Sequence, residues 1–375
     1  MTSSGTDNVN TALGQSNRVC QVNLLDLAGW QLEEVLAQMQ VPFPELIDLR
    51  LWSLDRTPVI PDSFLDGSAP RLRFFALKGI PFLGLPKLLL SATHLVRLSL
   101  DNIPHSGYIS PEAMVTLISV LSSLRTLYLR FQSPQSCPNW ESRSLPPPKR
   151  SILPALDHFR FKGVTEYLED LVTFIDAPQL KTLDITFLNQ IDFDCPRLAQ
   201  FINRTPTLRA LDEAHVQFDD TTASVTLRGG STTPTFDIAI SCREPDWQLS
   251  SIEQVCSSSL HPLSTVERLY IDHKYSQLVW KNDAIENTLW LELLRPFTAV
   301  KNFYLSKEFA PGIAAGLQEL VGGRITEVLP SLQNIFVKGL EPSGPLQENI
   351  GQFVAARQLS GHPIAISVWD EDTDM

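Results

Sequence analysis

Cysteine is scarce and unpatterned. Cys20, Cys137, Cys195, Cys242 and Cys256 are scattered, odd in number and free of any C-x-x-C pair, so neither a disulfide framework nor a thiolate zinc site is indicated and free thiols are expected. Long apolar runs are also missing. No stretch reaches about 18 uninterrupted apolar residues, and the first twenty residues are polar, which points to a cytoplasmic or nuclear protein. Positive charge is in short supply, with 30 Lys and Arg against 42 Asp and Glu and a net charge of −12. That balance repels nucleic acid and anionic membrane, so neither is expected as a partner. The sequence contains no G-x-S-x-G, no G-x-x-x-x-G-K-[ST], no H-E-x-x-H and no EF-hand loop, so catalytic and cofactor chemistry has no motif to rest on.

What the chain does have is core material and rhythm. Apolar residues make up 43% of the 375 and charged residues 19%, a globular composition. A length of this order suggests two or three compact domains unless a repeat array carries the core along. An apolar figure close to L-x-x-L-x-L returns seven times in the first half: Val22/Leu25/Leu27, Leu46/Leu49/Leu51, Leu72/Phe75/Leu77, Leu95/Leu98/Leu100, Leu124/Leu127/Leu129, Leu156/Phe159/Phe161 and Leu180/Leu183/Ile185. Four more follow at Val266/Leu269/Ile271, Val300/Phe303/Leu305, Leu332/Ile335/Val337 and Ile364/Ile366/Val368. The last two anchors of each figure alternate as a strand requires, and the first sits where the chain turns inward. Several figures follow a proline, as in Phe43-Pro44-Glu45-Leu46 and Ala177-Pro178-Gln179-Leu180, which ends the preceding segment. First anchors lie roughly 23 to 34 residues apart, apart from one larger gap, a range that overlaps leucine-rich repeats and extends beyond it.

Helix-like segments fall between the strands at 30–39, 111–121, 166–175, 196–203, 290–294, 311–321 and 346–358, with Ser110 a natural N-cap for the second. The fold class expected is therefore α/β: a leucine-rich-repeat solenoid, or horseshoe, with irregular repeats, a parallel sheet on the concave face and helices behind. A disordered stretch is expected over 1–6, a single solenoid over 7–369 and an acidic tail over 370–375. Residues 132–152 read as a long proline- and serine-rich loop, whose 146–150 end resembles a ligand for a proline-binding domain. Two alternating runs, Ala223–Leu227 and Phe236–Ser241, suggest an inserted β-hairpin within about 212–262.

Candidate chemistry is thin. Asp192/Asp194 and Asp219/Asp220 are paired carboxylates that read as solvated loop acids. The seven histidines lie in separate units without ligand spacing, and Cys195 and Cys256 have no evident activating base. No catalytic residue, metal site or cofactor is expected.

Binding is the better expectation. Side chains flanking the strand anchors point away from the core, onto the face that repeat proteins use. Tyr128, Arg130, His158, Arg160 and Lys162 form a basic, aromatic patch in this reading; Tyr270, Tyr304 and Phe336 align in one column, and Trp52 is a further exposed aromatic. Tyr, Trp and Arg dominate binding hot spots because they cover much area with few rotors. A target protein on the concave sheet face and a monomeric state are the partner expectations.

Residues 63–115, 161–187, 241–259, 290–309 and 352–367 give the chain a family likeness. It resembles the leucine-rich portion of F-box-domain proteins from mushroom-forming fungi. The resemblance implies the target-recognition part of a ubiquitin-ligase substrate adaptor, with an F-box docking a Skp-type adaptor protein. Only about twenty residues precede the first figure, so the F-box is missing and adaptor binding is in question. The alternative is an F-box-less scaffold or decoy repeat protein.

Overall fold

The computed structural model describes residues 9, 11–53, 58–136, 150–188, 193, 195–209, 211–230, 234–242, 244–257, 261–273, 287–320, 324–339 and 345–369. The chain divides into two compact units, Met1–Leu183 and Asp184–Met375.

In the first unit, β1 (Gln21–Leu27), β2 (Asp48–Ser53), β3 (Phe74–Lys78), β4 (Arg97–Ile103), β5 (Thr126–Phe131) and β7 (His158–Gly163) pair in parallel and in chain order. Two short strands, β6 (Ser151–Ile152) and β8 (Ile175–Asp176), pair separately. The register aligns two apolar rows. Val22, Leu49, Phe75, Leu98, Leu127 and Phe159 face one another across successive strands, as do Leu24, Leu51, Leu77, Leu100, Leu129 and Phe161, and all are buried. Full burial of one such side chain stabilises by roughly 1.5–3 kcal/mol, so these rows are the main source of cohesion. Helices α1 (Gly29–Gln38), α2 (Leu85–Ser91), α3 (Pro111–Ser119) and α4 (Thr165–Thr173) connect the strands and bury one face each, for example Leu32, Val35 and Leu36 of α1. Ser110 caps α3 by accepting from the Ala113 amide at 3.3 Å.

The first figure is misread in the sequence. Leu25 is exposed while Leu24 takes the core position opposite Leu51, because β1 pairs residue by residue from Gln21 to Leu24 and its irregularity lies further along, between Leu24 and Leu27.

One backbone device recurs at the strand starts. The amide of the first anchor closes a turn onto the carbonyl three residues back, as in Leu46 to Phe43, Leu72 to Ala69, Leu95 to Ala92 and Leu124 to Leu121. Two successive amides then share one carbonyl of the preceding repeat: Arg73 and Phe74 on Ile47, Val96 and Arg97 on Arg73, Arg125 and Thr126 on Val96. The turn satisfies backbone groups that would otherwise be buried unpaired, and the shared carbonyl sets the register of the next strand.

The second unit is built differently. Its strands are β9 (Thr182–Leu188, which straddles the division), β10 (Glu213–Phe218), β11 (Thr222–Arg228), β12 (Thr235–Ser241), β13 (Arg268–His273), β14 (Asn302–Leu305), β15 (Asn334–Lys338) and β16 (Ala365–Trp369). Their spatial order is β9-β12-β11-β10-β13-β14-β15-β16. β10, β11 and β12 form an antiparallel meander, whereas β10–β13 and the later pairs are parallel. Helices α5 (Pro196–Arg204), α6 (Pro245–Ser257), α7 (Asn287–Leu294), α8 (Ala310–Gln318) and α9 (Pro345–Leu359) complete it.

This topology corrects the expected fold. A leucine-rich horseshoe adds its strands sequentially and in parallel, but here the sheet is mixed, and the chain passes from β9 to β10 without pairing them. The cause is connection length. Asp219, Asp220 and Thr221 alone join β10 to β11, and six residues join β11 to β12, whereas a parallel crossover needs a dozen or more. Three strands in such close succession have to run antiparallel. The crossed order removes the basis for a single concave recognition face, and the expectation of a target protein held there falls with it.

Candidate functional site

The basic patch expected from the sequence lies on two paired strands of the first unit. Tyr128 stands opposite Arg160, Arg130 opposite Lys162 and Thr126 opposite His158. The Arg160 guanidinium carbon lies 5.1 Å from the Tyr128 ring centroid, within the range of a cation–π contact. Arg130 reaches Asp101 on β4 at 3.4 Å, and His158 Nδ1 lies 2.6 Å from the Asp157 carboxylate. All five side chains are exposed or half-buried. Trp52 is not part of this group: it sits on β2, three strands from Tyr128, with the Lys78 ammonium 5.1 Å from its ring.

Carboxylates offset only part of this charge. Asp48 binds Arg50 through two hydrogen bonds of 2.9 and 2.8 Å, and that bonding, against the opposing effect of burial, raises the Arg50 pKa above its ordinary value. Among the described residues, Arg97 and Lys162 have no carboxylate at ion-pair distance. Arg97 was not among the candidates, although its position on β4, opposite Thr126, marks it as sharing the face.

The aromatic column lies in the second unit and is longer than expected. His215, Tyr270, Tyr304, Phe336 and Ser367 occupy one register row across β10, β13, β14, β15 and β16. His215 stacks on Tyr270 at 4.4 Å and 5°, Tyr270 on Tyr304 at 4.2 Å and 10°, and Tyr304 on Phe336 at 4.6 Å and 10°. These separations follow the interstrand distance of about 4.8 Å, so parallel pairing itself sets the rings face to face. Burial, then the Tyr304 phenol and the Glu213 carboxylate, push the Tyr270 phenol up. Beside the column, Glu213 bonds His215 at 2.7 Å and pairs with Arg268 at 3.3 Å, and Asn334 donates to Asn302 at 2.8 Å. The His215 hydrogen bond is the main cause that holds the Glu213 carboxyl below its usual range.

His215 was missed because its strand lies inside the segment read as a hairpin insertion. Trp369 was missed because it adjoins the acidic end. Its ring meets Tyr270 at 5.9 Å and Tyr304 at 5.7 Å, which leaves Tyr304 only 8% exposed.

The remaining chemical candidates divide three ways. Asp192, Asp194, the 146–149 prolines and lysine and the 370–375 tail lie outside the described residues. Burial alone would raise the Asp219 carboxyl, but hydrogen bonds from the Thr222 hydroxyl at 2.6 Å, from both the Thr221 and Thr222 amides at 2.8 Å and from the Thr221 hydroxyl at 3.3 Å outweigh it and hold it down. Asp219 thus shapes the β10–β11 turn. Cys256 and Cys195 are buried free thiols, and burial pushes the Cys256 thiol up, away from the nucleophilic thiolate. Among the described residues no group of three His, Cys, Asp or Glu could hold a metal ion, and no helix is long and apolar enough to cross a membrane.

No protein-family model matches the chain, and no curated protein matches it. Together with the mixed strand order, this overturns the likeness to F-box-type leucine-rich proteins. The ubiquitin-ligase role and the scaffold or decoy alternative drawn from the same repeat reading go with it.

Proposed function

We propose that this chain is a binding protein rather than an enzyme, and that the polar sheet face of its first unit takes up a ligand bearing closely spaced carboxylates. The observation that carries this reading is the paired register of Tyr128–Arg160 and Arg130–Lys162, four exposed or half-buried side chains on adjacent strands of a protein whose net charge is −12. Cations gathered against the overall charge are the electrostatic footprint of a site for anions. Arg97 and Lys162, uncompensated among the described residues, supply charge for the ligand. Arg160, its guanidinium carbon 5.1 Å from the Tyr128 ring centroid, adds its charge to the same face, and a guanidinium matches a carboxylate bidentately, as Arg50 does with Asp48. Adjacent strands lie about 4.8 Å apart, so cations on β4, β5 and β7 are close enough for one ligand with several carboxylates to meet more than one of them.

Among the described residues Cys20, Cys195, Cys242 and Cys256 are free thiols, which supports a reducing compartment, the cytoplasm or nucleus.

The test is fluorescence anisotropy with a labelled oligoglutamate peptide at low salt, run beside inorganic polyphosphate and a single-stranded oligonucleotide. Oligoglutamate binding that weakens tenfold or more in the Arg97→Ala/Arg160→Ala/Lys162→Ala variant supports the reading. Undiminished binding by that variant, or preference for either phosphate polymer, overturns it.

A further inference from the structure

The aromatic column of the second unit is a separate feature that the carboxylate site does not use. Its members are fixed by register rather than by side-chain chance, since Tyr270, Tyr304 and Phe336 sit opposite one another on β13, β14 and β15. The next position along, on β16, is Ser367, whose small side chain ends the stack. Trp369, two residues further along the same strand, meets the column nearer its middle. Its indole contacts the rings of Tyr270 and Tyr304 at interplanar angles of 56° and 66°, and the Lys338 ammonium lies 5.8 Å from its centroid. Tilted and edge-on contacts of this kind are the arrangement in which the positive rim of one ring meets the negative face of another, and a nearby ammonium favours an electron-rich indole over any other ring.

β16 itself has little else to hold it. Among the described residues it pairs only with β15. Ala365, Ser367 and Val368 are exposed, Val368 at 60%, and within the strand only Trp369 is buried, at 7%. A strand at the end of a sheet that buries one side chain belongs to the low-stability end of a fold, where local opening is frequent. An edge left open in this way is also a template for an incoming strand.

We propose that the face formed by Tyr270, Tyr304 and Lys338 is a binding site for a tryptophan indole carried on an extended strand, that the chain's own Ala365–Trp369 segment is its resident occupant, and that this occupant exchanges for a ligand segment of the same chemistry. Trp369 thereby acts as an internal competitor. The specificity follows from the geometry: the strand supplies main-chain pairing to β15, and the indole, set against Tyr270 and Tyr304, supplies the side-chain anchor.

The probe is a fluorescein-labelled peptide of residues 362–369 added to the full chain. Removing the resident indole with Trp369→Ala is expected to tighten peptide binding at least tenfold over the unaltered protein, and adding Tyr304→Ala to that variant is expected to reverse the gain. A peptide whose terminal tryptophan is replaced by alanine is expected not to bind. Equal affinity for both proteins, or equal affinity for both peptides, overturns the proposal. Hydrogen exchange on the unaltered chain supplies a readout that no variant can confound: the amides of Ala365–Trp369 are expected to exchange at least tenfold faster than those of Asn334–Lys338. Equal protection of the two strands would mean that β16 does not leave, and the proposal fails.

Discussion

Arg160 lies over the face of Tyr128, its guanidinium carbon 5.1 Å from the ring centroid, and the two residues are direct neighbours across paired strands. The ring attracts the guanidinium without neutralising it, because a quadrupole carries no net charge. At an exposed site the contact itself contributes roughly 0.5–1 kcal/mol.

A double-mutant cycle separates orientation from charge. Tyr128→Leu is expected to lower thermal stability only slightly, by about 0.5–1 kcal/mol, while weakening oligoglutamate binding severalfold. Once Arg160→Ala is present, Tyr128→Leu is expected to have no further effect on binding. Additive losses across the cycle would show that the ring acts on the ligand independently of Arg160.

Cohesion of the first unit rests on the in-register apolar rows. Leu127, fully buried between Leu98 and Phe159, has strand neighbours on both sides. Leu127→Ala is expected to cost about 2–5 kcal/mol in chemical denaturation, against less than about 0.5 kcal/mol for the exposed Leu25→Ala. Comparable losses at both positions would contradict the assignment of Leu24 rather than Leu25 to the core.

The acid limb of stability is set in part by carboxyls held below their ordinary pKa, Glu213 and Asp219 among them. For each, the folded-state value lies below the unfolded one, so its contribution is complete above the unfolded pKa of about 4 and is lost as pH falls through the folded value. The urea midpoint is therefore expected to be flat in this respect from pH 7 to 5 and to decline below about pH 4. Asp219→Asn should flatten that decline and lower the plateau. An acid limb as steep as in the unaltered chain would exclude Asp219 as a contributor.

Arg357 on α9 is fully buried and donates to the carbonyls of Ile325, Leu329 and Pro330 at 3.1, 3.4 and 3.3 Å. It ties that helix to the turn that precedes β15. Burial lowers its pKa below the ordinary guanidinium value, yet the cation persists because carbonyl oxygens surround it. Arg357→Ala removes the donor to the Ile325 and Pro330 carbonyls and leaves a cavity, whereas the Leu329 carbonyl keeps the Leu332 amide; each buried group left unpaired costs about 1–3 kcal/mol. The second unit should consequently unfold at lower denaturant than the first, giving two transitions by circular dichroism. A single unshifted transition would refute this role.

Much of this architecture is legible in the residues. The figures at Leu46, Leu72, Leu95 and Leu124 locate strands and turns correctly because one local device, a turn closed three residues back, stands behind each of them. The column of Tyr270, Tyr304 and Phe336 is legible for the same reason: equal offsets from equal anchors become equal register. Strand order is not legible. β10 is built from Ala214, Val216 and Phe218 around polar Glu213, His215 and Gln217, an alternation too weak to announce a strand beside the leucine figures. Without it the segment reads as a hairpin rather than a three-strand meander. Trp369 escaped notice because its role depends on a side chain reaching back along the sheet, a long-range contact that no local pattern encodes.

The sharing of one carbonyl by two amides at the starts of β2 to β5, β7, β9 and β13 to β15 has a consequence for how this protein tolerates change. The join between consecutive repeats is made by a few backbone atoms, as where Lys301 and Asn302 meet Glu267 and Gln333 and Asn334 meet Lys301, and it makes no reference to how much chain lies behind. Residues gained or lost in the connecting helices and loops leave that join intact, so spacers of unequal size coexist in one sheet while the paired strands keep their alignment.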